Sequence, residues 1–462
     1  MTKKNGLRNR ITLMLLCVFF ITLNCLASQA AEQRVLSLEQ LIQMALETSP
    51  ELKMAEQDIL AAKGDYKQAK GGMLPQLDFV AIGGPVNAAD VPTVTVVRNT
   101  GYLVGHDFPG IGVFGSLDLT ITQPLYTFGK ISNRKDAAAL GVEVQSAARE
   151  KKRNEVVLYV KELYYAYLIA AQGKSAAREA DNYINDAGKR IRRLLELKAK
   201  NVDPSDLYRL DAFSAEVRAF AAKADSGANT SYAALKSAIG LPENGDFRLA
   251  VTEMPKNPEN LGSQEEYVQR ALANRPEIMQ VKKGAEARGK LVCAAEADLY
   301  PTFFASGLAS VAGAPGRQTF DNTYIIDEFN HTWAGLIAGA QWHFDFGIGK
   351  GKLDKARAEY QKMRNTQELA ERNIPVEVVK YYQDTVEAEK SYAAYEQAAI
   401  GSRRWVVTAF SNFDLGIGTA RDMFDAIDRY GKNQGEYLRA LYNYRVGLAR
   451  LDYATGQTAG IP

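Results

Sequence analysis

The spacing of apolar residues changes period within each half of this chain. Ser37-Leu38-Glu39-Gln40 opens a helix, with Ser37 a natural N-cap and Gln40, three residues on, its capping-box partner. That helix is expected to run to Gly71-Gly72, with Pro75 marking the change to extended chain. Beyond the proline the period falls to two. Gln76 to Ile82 alternates at its start, and Ser116-Leu117-Asp118-Leu119-Thr120-Ile121-Thr122 alternates throughout. Leu117, Leu119 and Ile121 then share one face and Ser116, Asp118, Thr120 and Thr122 the other. Such a strand fits a soluble sheet or a barrel wall with lipid outside and a polar lumen inside. Loops rich in Gly, Pro and Asn, about 84–112 and 311–331, separate the strands of each pair.

From Lys130 to about Lys200 there is no proline, so a helical rod of ~70 residues, roughly 105 Å long, is expected. Its apolar or small positions keep a four-three rhythm through Val156, Val160, Leu163, Tyr167 and Ala170, then Ala177, Ala180, Ile184, Ala187, Ile191 and Leu194. The returning helix does the same through Leu207, Leu210, Ser214, Val217, Ala221, Ala224, Ala228, Ser231, Leu235 and Ala238. A sustained period near 3.5 residues is a coiled-coil seam, and its Ala and Gly knobs imply close helix spacing.

The chain states this plan twice. Ala45-Leu46-Glu47-Thr48-Ser49-Pro50-Glu51-Leu52 reappears as Ala271-Leu272-Ala273-Asn274-Arg275-Pro276-Glu277-Ile278, and Phe128-Gly129 as Phe346-Gly347. Ser263 with Glu266 repeats the first cap, and Pro301 ends that segment as Pro75 ends the first. Met423, Ala426, Tyr430, Asn433, Tyr437, Ala440, Tyr444, Gly447, Leu451 and Ala454 repeat the seam of the returning helix. The expected organisation is a first structural repeat over 31–240, a linker over 241–262 and a second repeat over 263–462. The second strand pair, about 302–310 and 332–344, alternates less clearly. Pro375 should kink or interrupt the second long helix, about 348–413.

Residues 1–30 are expected to be a cleaved signal peptide. Lys3, Lys4, Arg8 and Arg10 precede the apolar run Ile11 to Leu23, and Ser28-Gln29-Ala30 supplies small residues at a cleavage site. Asn24 before Cys25 argues against a lipidated cysteine. Removal of Cys17 and Cys25 leaves Cys293 alone, so the exported fold has no internal disulfide. No other stretch is apolar enough for a spanning helix, so a membrane would have to be met with strands.

The chain has 56 basic and 54 acidic residues, a balance that gives no reason to expect a nucleic-acid surface. His106, His331 and His343 are scattered, without metal-ligand spacing, and are expected to be surface or lumen residues. No phosphate loop or Gly-x-Ser-x-Gly motif appears, so no catalytic residue, metal or cofactor is expected. The tyrosines at 430, 437 and 444 are expected to be coiled-coil packing. Four strands cannot close a barrel in lipid, where each unsatisfied backbone group costs several kcal/mol. Copies of the chain would have to pool their hairpins, and the physics leaves eight strands from two copies or twelve from three open.

The duplicated Leu-x-x-Ala-Leu-x-x-(Ser/Arg)-Pro-Glu helix, the junction Gln123-Pro124-Leu125-Tyr126-x-Phe128-Gly129 and the turn Gly416-Ile417-Gly418-Thr419 resemble the TolC family of outer-membrane efflux proteins. The resemblance covers nearly all of the mature chain. It implies a mainly α fold with a membrane β-barrel: a homotrimer joining a 12-stranded β-barrel to a long antiparallel coiled-coil helical barrel, built from two internal structural repeats per chain. It implies an outer-membrane channel-tunnel with a periplasmic extension, docked to a periplasmic adaptor (membrane fusion) protein and an inner-membrane transporter, in tripartite efflux or type I secretion. Outer-membrane lipid would surround the barrel. The competing readings are a stand-alone porin and a coiled-coil surface or structural protein. The cargo is not legible.

The resemblance places the entrance at two helix–helix turns. Asn201, Val202 and Asp203 in the first, and Gly416, Ile417, Gly418 and Thr419 in the second, would be adaptor-docking tips, with Val202 and Ile417 as exposed apolar points. Lys200 stands where the family usually has Gly. Asp422 and Asp425, three residues apart on one helix face, would form rings of carboxylates at a constriction, where crowding favours protonation or cation capture. Acidic residues in a helix's first turn also suit its dipole. Asp206 occupies the matching place in the first half, where relatives close the entrance through an aromatic and an arginine. Here Phe413 and Gly418 hold those positions, with Arg421 near enough to substitute.

Overall fold

A computed structural model describes residues 34–89, 93–97, 101–105, 110–199, 202–242, 244–257, 260–320, 323–324 and 326–457. The expected signal peptide, Lys200, Asn201 and His106 lie outside the described residues. Among those described are eight helices and eight strands, and the structure is mainly helical. The helices are α1 (Leu38–Thr48), α2 (Pro50–Gly71), α3 (Lys130–Glu196), α4 (Pro204–Ala238), α5 (Gln264–Asn274), α6 (Pro276–Ala297), α7 (Ile348–Asp414) and α8 (Ala420–Ala454). The strands are β1 (Arg34–Leu36), β2 (Gln76–Asn87), β3 (Thr93–Val97), β4 (Gly101–Gly105), β5 (Ile111–Tyr126), β6 (Phe247–Leu249), β7 (Thr302–Gly313) and β8 (His331–Gln341).

The helices of the two halves match in length: 11 residues for α1 and α5, 22 for α2 and α6, 67 for α3 and α7, 35 for α4 and α8. The sequence suggested one helix from Ser37 to Gly71, but the structure breaks it at Ser49. Ser49 has ψ 118° and Arg275, its counterpart, ψ 126°. A residue before proline is pushed out of the helical region, and the proline then begins a new helix where no N–H is needed. Pro375 acts otherwise: α7 stays helical through it. Beside it the buried Arg275 makes a bidentate ion pair with Glu377, at 2.7 and 3.2 Å.

The chain divides into two compact units, each drawing on both halves. One comprises Ala55–Arg149 and Pro276–Glu371 and contains a four-stranded antiparallel sheet in the order β2-β5-β7-β8. Strands β2 and β8 are its edges. The β3–β4 hairpin is separate.

The other unit comprises Met1–Met54, Glu150–Arg275 and Arg372–Pro462. Here β1 and β6 pair in parallel, and one core joins Leu41, Ile42, Leu168, Leu235, Met254 and Leu441. Arg445 and Tyr392 strap the inter-repeat segment down by donating to the carbonyls of Pro255, Asn257 and Lys256 at 2.7–2.9 Å. The expected seam is buried along α8, with Asn433 only half-buried. In part of α3 it slips by about a residue: Val157, Tyr164 and Leu168 are buried where Val156, Leu163 and Tyr167 were expected, while Val160, Ala177, Ala180, Ile184, Ala187 and Ile191 are buried as expected. Tyr430, Tyr437 and Tyr444 are core residues, 3%, 8% and 0% exposed.

Candidate functional site

The sheet has two chemically distinct faces, because residues paired across strands share a side. Leu77 pairs with Ile121, Phe79 with Leu119 and Ala81 with Leu117, and the row continues through Val311, Ala309 and Gly307 to Ala334 and Leu336. That face is mainly apolar, with Thr332 beside Val311, and Leu77, Phe79, Leu117 and Leu336 are 50–90% exposed. The opposite face is mixed: Asp78, Ser116, Asp118, Thr120, Thr122, Ser306, Ser310 and His331 lie among Val80, Ile82, Phe114, Leu308, Trp333 and Ile337. Thr122 and Ser306 share a hydrogen bond of 3.1 Å across β5 and β7. This is the division expected of a barrel wall.

At the helical end of the sheet, Phe128 and Phe346 hold φ of 52° and 49°, each followed by a glycine at positive φ. Left-handed backbone at a bulky residue costs about 1–2 kcal/mol. Its recurrence at equivalent strand-to-helix junctions shows that both halves need the same sharp reversal. Phe128 stacks on Tyr300 with ring centroids 4.9 Å apart.

The second helical turn belongs to the other unit. Gly416 has φ 75°, a conformation glycine takes without strain. Gly418 is required for space: a Cβ there would lie 3.1 Å from Asn412 Cβ and from the Phe413 backbone nitrogen. Ile417 and Gly418 both donate their N–H to the Asn412 carbonyl at 3.0 Å, closing the turn. Leu415 and Ile417 are left 74% and 76% exposed at its point. Thr419 then caps α8, accepting the N–H of Asp422 at 3.3 Å, while its own N–H and hydroxyl donate to the Asp422 carboxylate at 2.9 and 2.7 Å. Those donors, the backbone N–H first, hold Asp422 below the usual carboxylate range. The like-charge argument from sequence favoured protonation. Within one chain the cap works against it and keeps the group ionised.

The first turn uses the same device with different residues. Pro204 opens α4, Asp203 accepts the Ser205 N–H at 2.8 Å, and Asp206 accepts the Asp203 N–H at 3.0 Å. Asp206 and Asp422 are therefore equivalent capping-box residues, as their positions in the repeat implied. Asp425 has no acidic counterpart, since Arg209 stands at its place in the first half.

Other expected site residues fall less simply. Val202 is half-buried against the tip core, so it is not an exposed apolar point as Ile417 is. Phe413 is 1% exposed inside that core, with Ile191, Leu210 and Met423. Arg421 leans on Asp425, 3.9 Å away on its own helix. The links that do join helices near the tip involve residues with no sequence signal of their own. Arg190 of α3 pairs with Asp414 at the end of α7 and lies over the Phe410 ring, 5.0 Å from its centroid. Higher up, Glu179 accepts from Tyr430 at 2.7 Å, Arg403 at 3.0 Å and Tyr183 at 3.3 Å, tying α3, α7 and α8 together. Burial, with the Glu179 carboxylate beside it, drives the Tyr430 hydroxyl far above the usual phenol range. Only the periodic tyrosines hinted at this cluster. No group of metal-ligating side chains occurs among the described residues, and none of their helices is long and apolar enough to cross a membrane.

The family described as outer membrane efflux protein matches residues 41–197 and 267–457, which take in both strand pairs, the long helices α3 and α7, and α8. The chain belongs to the outer membrane efflux protein family. Its duplicated architecture is found in solved structures of other such channels. The outer membrane protein VceC of Vibrio cholerae is 18% identical, covering 92% of this chain and 97% of its own, with a TM-score of 0.74. The open state of the Neisseria gonorrhoeae MtrE outer membrane channel is 17% identical over 92% and 90%, with a TM-score of 0.73. The Campylobacter jejuni CmeC outer membrane channel is 16% identical over 92% and 87%, with a TM-score of 0.72. No curated protein matches the sequence. As an outer membrane efflux protein the chain is a channel component of an efflux system, and its family is one of channels, not enzymes.

Proposed function

We propose that three copies of this outer membrane efflux protein pool their sheets into a 12-stranded barrel, forming a duct that continues into the periplasm as a helical barrel. The observation that carries the proposal is the two-faced sheet with its open edges. Four strands cannot close, edge backbone groups cannot stay unpaired in lipid, and the apolar face is already continuous from β2 to β8. Joining β8 of one copy to β2 of the next satisfies both edges, and three copies give an even strand number within the known range. The apolar face meets outer-membrane lipid, and the face bearing Asp118, Thr120 and Ser310 lines the lumen.

The entrance lies at the two capped turns. Leu415 and Ile417 are the exposed apolar contacts for a periplasmic adaptor carrying cargo from an inner-membrane pump, with Asn201, Val202, Asp203, Gly416, Gly418 and Thr419 shaping the tips. Asp422 and Asp425, both on the exposed face of α8, form the constriction, and a ring of ionised carboxylates makes it cation-selective. Asp206 supports the equivalent cap beside it. The closing contacts assigned here are Arg190–Asp414 and Arg403–Glu179, with Phe413 a packing residue and Arg421 a local partner of Asp425.

Planar-bilayer recording tests the reading. Converting Asp422 and Asp425 together to alanine is expected to raise conductance or reduce cation selectivity by several-fold. A pore indistinguishable from wild type would sink the constriction, and the absence of any pore would sink the duct.

A further inference from the structure

At the end away from the helices, the sheet covers its mixed face and bares its apolar one. Ile111, Val113 and Val311 of the apolar face are 50–73% exposed, whereas Ser116, Ser310 and Ala312 of the mixed face are 3–9% exposed. The cover comes from the segment joining β7 to β8, of which 314–320 and 326–330 are described. The first arm runs from β7 across β5 to β2, two strand spacings or roughly 10 Å. It passes over β5 at Gly112, whose partner Val86 places it on the mixed face. A Cβ at Gly112 would lie 3.3 Å from Gly316 Cα, and one at Gly316 would lie 3.3 Å from Gly112 Cα. The two backbones approach this closely because neither carries a side chain. Past the end of β2, Ala89 donates its N–H to the Gly316 carbonyl at 3.2 Å, and Gln318 donates to the Ala89 carbonyl at 3.0 Å. Arg317 donates to the Asn87 carbonyl at 2.7 Å.

The second arm returns over the same face. Phe329 packs edge-on against Phe114 of β5, with ring centroids 5.5 Å apart, and Arg317 covers the Phe329 ring at 4.0 Å. The Asp327 carboxylate gathers the N–H groups of Phe320, Phe329 and Asn330, each at 3.0 Å. Asn330 ties the arms together, donating to the Arg317 carbonyl at 3.2 Å and accepting the Ala314 N–H at 2.7 Å. The segment is thus bonded to itself and to three places on the sheet: the chain beyond β2, Gly112 and Phe114. That makes it a strap across the mixed face.

We propose that this strap is a second constriction of the duct, at the end of the sheet away from the helices, and that it limits the size of the solutes that pass. The proposal rests on the reading of the mixed face as the lumen wall. A barrel of more than eight strands has room inside it, and chain laid on the inner wall takes up part of that room. Three copies would bring three straps into one mouth. Arg317 and Phe329 are the pins. Each fastens one arm through its side chain, so removing both side chains loosens the strap while the strand pairing beneath it stays intact.

The test releases the strap and then fastens it again. In planar bilayers R317A/F329A is expected to raise conductance by about twofold and to admit larger polyethylene glycols than wild type. A disulfide supplies the reversal. A Cβ at Gly316 would lie 3.5 Å from Ala88 Cβ, within the span of a disulfide. With A88C and G316C added to R317A/F329A in a C293S background, the oxidised channel is expected to return to wild-type conductance and the reduced one to stay high. Crosslinking of A88C/G316C/C293S in detergent micelles, read by peptide mass spectrometry, checks the docking without a pore. Conducting channels whose released strap carries equal current oxidised and reduced overturn the constriction and leave the duct standing. Copies that crosslink but never conduct overturn the duct, and the constriction with it. Failure of the A88C/G316C pair to crosslink shows that the strap does not lie on this face and overturns the proposal directly.

Discussion

Helices α4 and α8 occupy equivalent places in the repeat and have equal length, yet they are embedded very differently. Along α8 sixteen residues are buried, from Ala420 to Ala454, whereas α4 buries Leu210, Ala224, Ser231 and Leu235. The apolar rhythm is present in both, so the difference lies in what each helix meets. The aromatic positions of α8, Tyr430, Tyr437 and Tyr444, correspond in α4 to Ser214, Ala221 and Ala228. Large residues on α8 fill the core of their own chain, and small ones on α4 leave a smoother surface from which Tyr208 and Phe220 stand out, 74% and 44% exposed. The duplicated unit has thus diverged into a half completed within the chain and a half left more open, the surface that the proposed ring of copies would use.

Truncating the completed half should cost most. Tyr444→Ala removes a fully buried ring and is expected to destabilise the chain by about 3–5 kcal/mol, read as a lowered denaturant midpoint in detergent. Tyr208→Ala on α4 is expected to change that midpoint by less than about 0.5 kcal/mol. Equal effects would remove the asymmetry. Next comes an exchange between the halves. Phe220→Glu installs the residue that stands at the equivalent place in α8, Glu436. Its fold is expected to survive with a loss of about 1 kcal/mol, but trimers seen by native mass spectrometry should fall several-fold. A trimer yield equal to wild type would show that another face carries the assembly.

The packed tyrosines of α8 should also respond to alkali. Tyr437 is pushed up from 10.0 to about 12, chiefly by burial, and Tyr430 rises further still. A raised phenol favours its neutral form in the folded state. That stabilisation is complete below about pH 10 and is lost as pH climbs toward 12. Thermal midpoints are expected to fall over this window, and the fall should shrink in Tyr430→Phe, which keeps Arg403 and Tyr183 on Glu179. A pH profile unmoved by that change would mean that the titrating groups lie elsewhere.

Much of this was legible because periodicity is local. The capping boxes, the alternation of β5, the strand–helix junctions and the turn glycines each depend on residues within about one turn or one strand pair. The break at Ser49 was missed because the apolar pattern continues across it, while the backbone preference before Pro50 overrides the pattern. The slip of the α3 seam was missed because Val156 and Val157, Leu163 and Tyr164, Tyr167 and Leu168 are apolar neighbours, and packing alone chooses between them. At the tip the residue types were readable and their partners were not. Arg190 meets Asp414 across two long helices, where a one-residue difference in register would separate them. His331 has no ligand-like spacing in the sequence, and the contact that strand register gives it, with Ser310 on the mixed face of the sheet, is one that spacing alone does not show.

The smallest expected effect separates the two turns themselves. Both α4 and α8 begin with a capping box, but Asp203 accepts a bond at the first and Thr419 at the second. Alanine at Thr419 should cost about 1 kcal/mol, the usual worth of an N-cap, and alanine at Asp203 should destabilise in the same direction. The pH dependence should differ. Asp203 is itself a carboxylate held low, chiefly by Ser205, so the first cap titrates at its N-cap residue. At the second, only Asp422 titrates, held low by Thr419. For both carboxylates the stabilisation is present above the unfolded carboxylate range and fades as pH falls below it. In Thr419→Ala, Asp422 loses the hydroxyl bond but keeps the backbone one, so part of the acid sensitivity at that turn should remain. In Asp203→Ala the N-cap carboxylate is gone, and the acid sensitivity it brings to the first turn should go with it. Carboxylate titrations by carbon-13 NMR of labelled aspartate would read both. An Asp422 that titrates identically with and without the Thr419 hydroxyl would mean that the backbone N–H alone sets its charge.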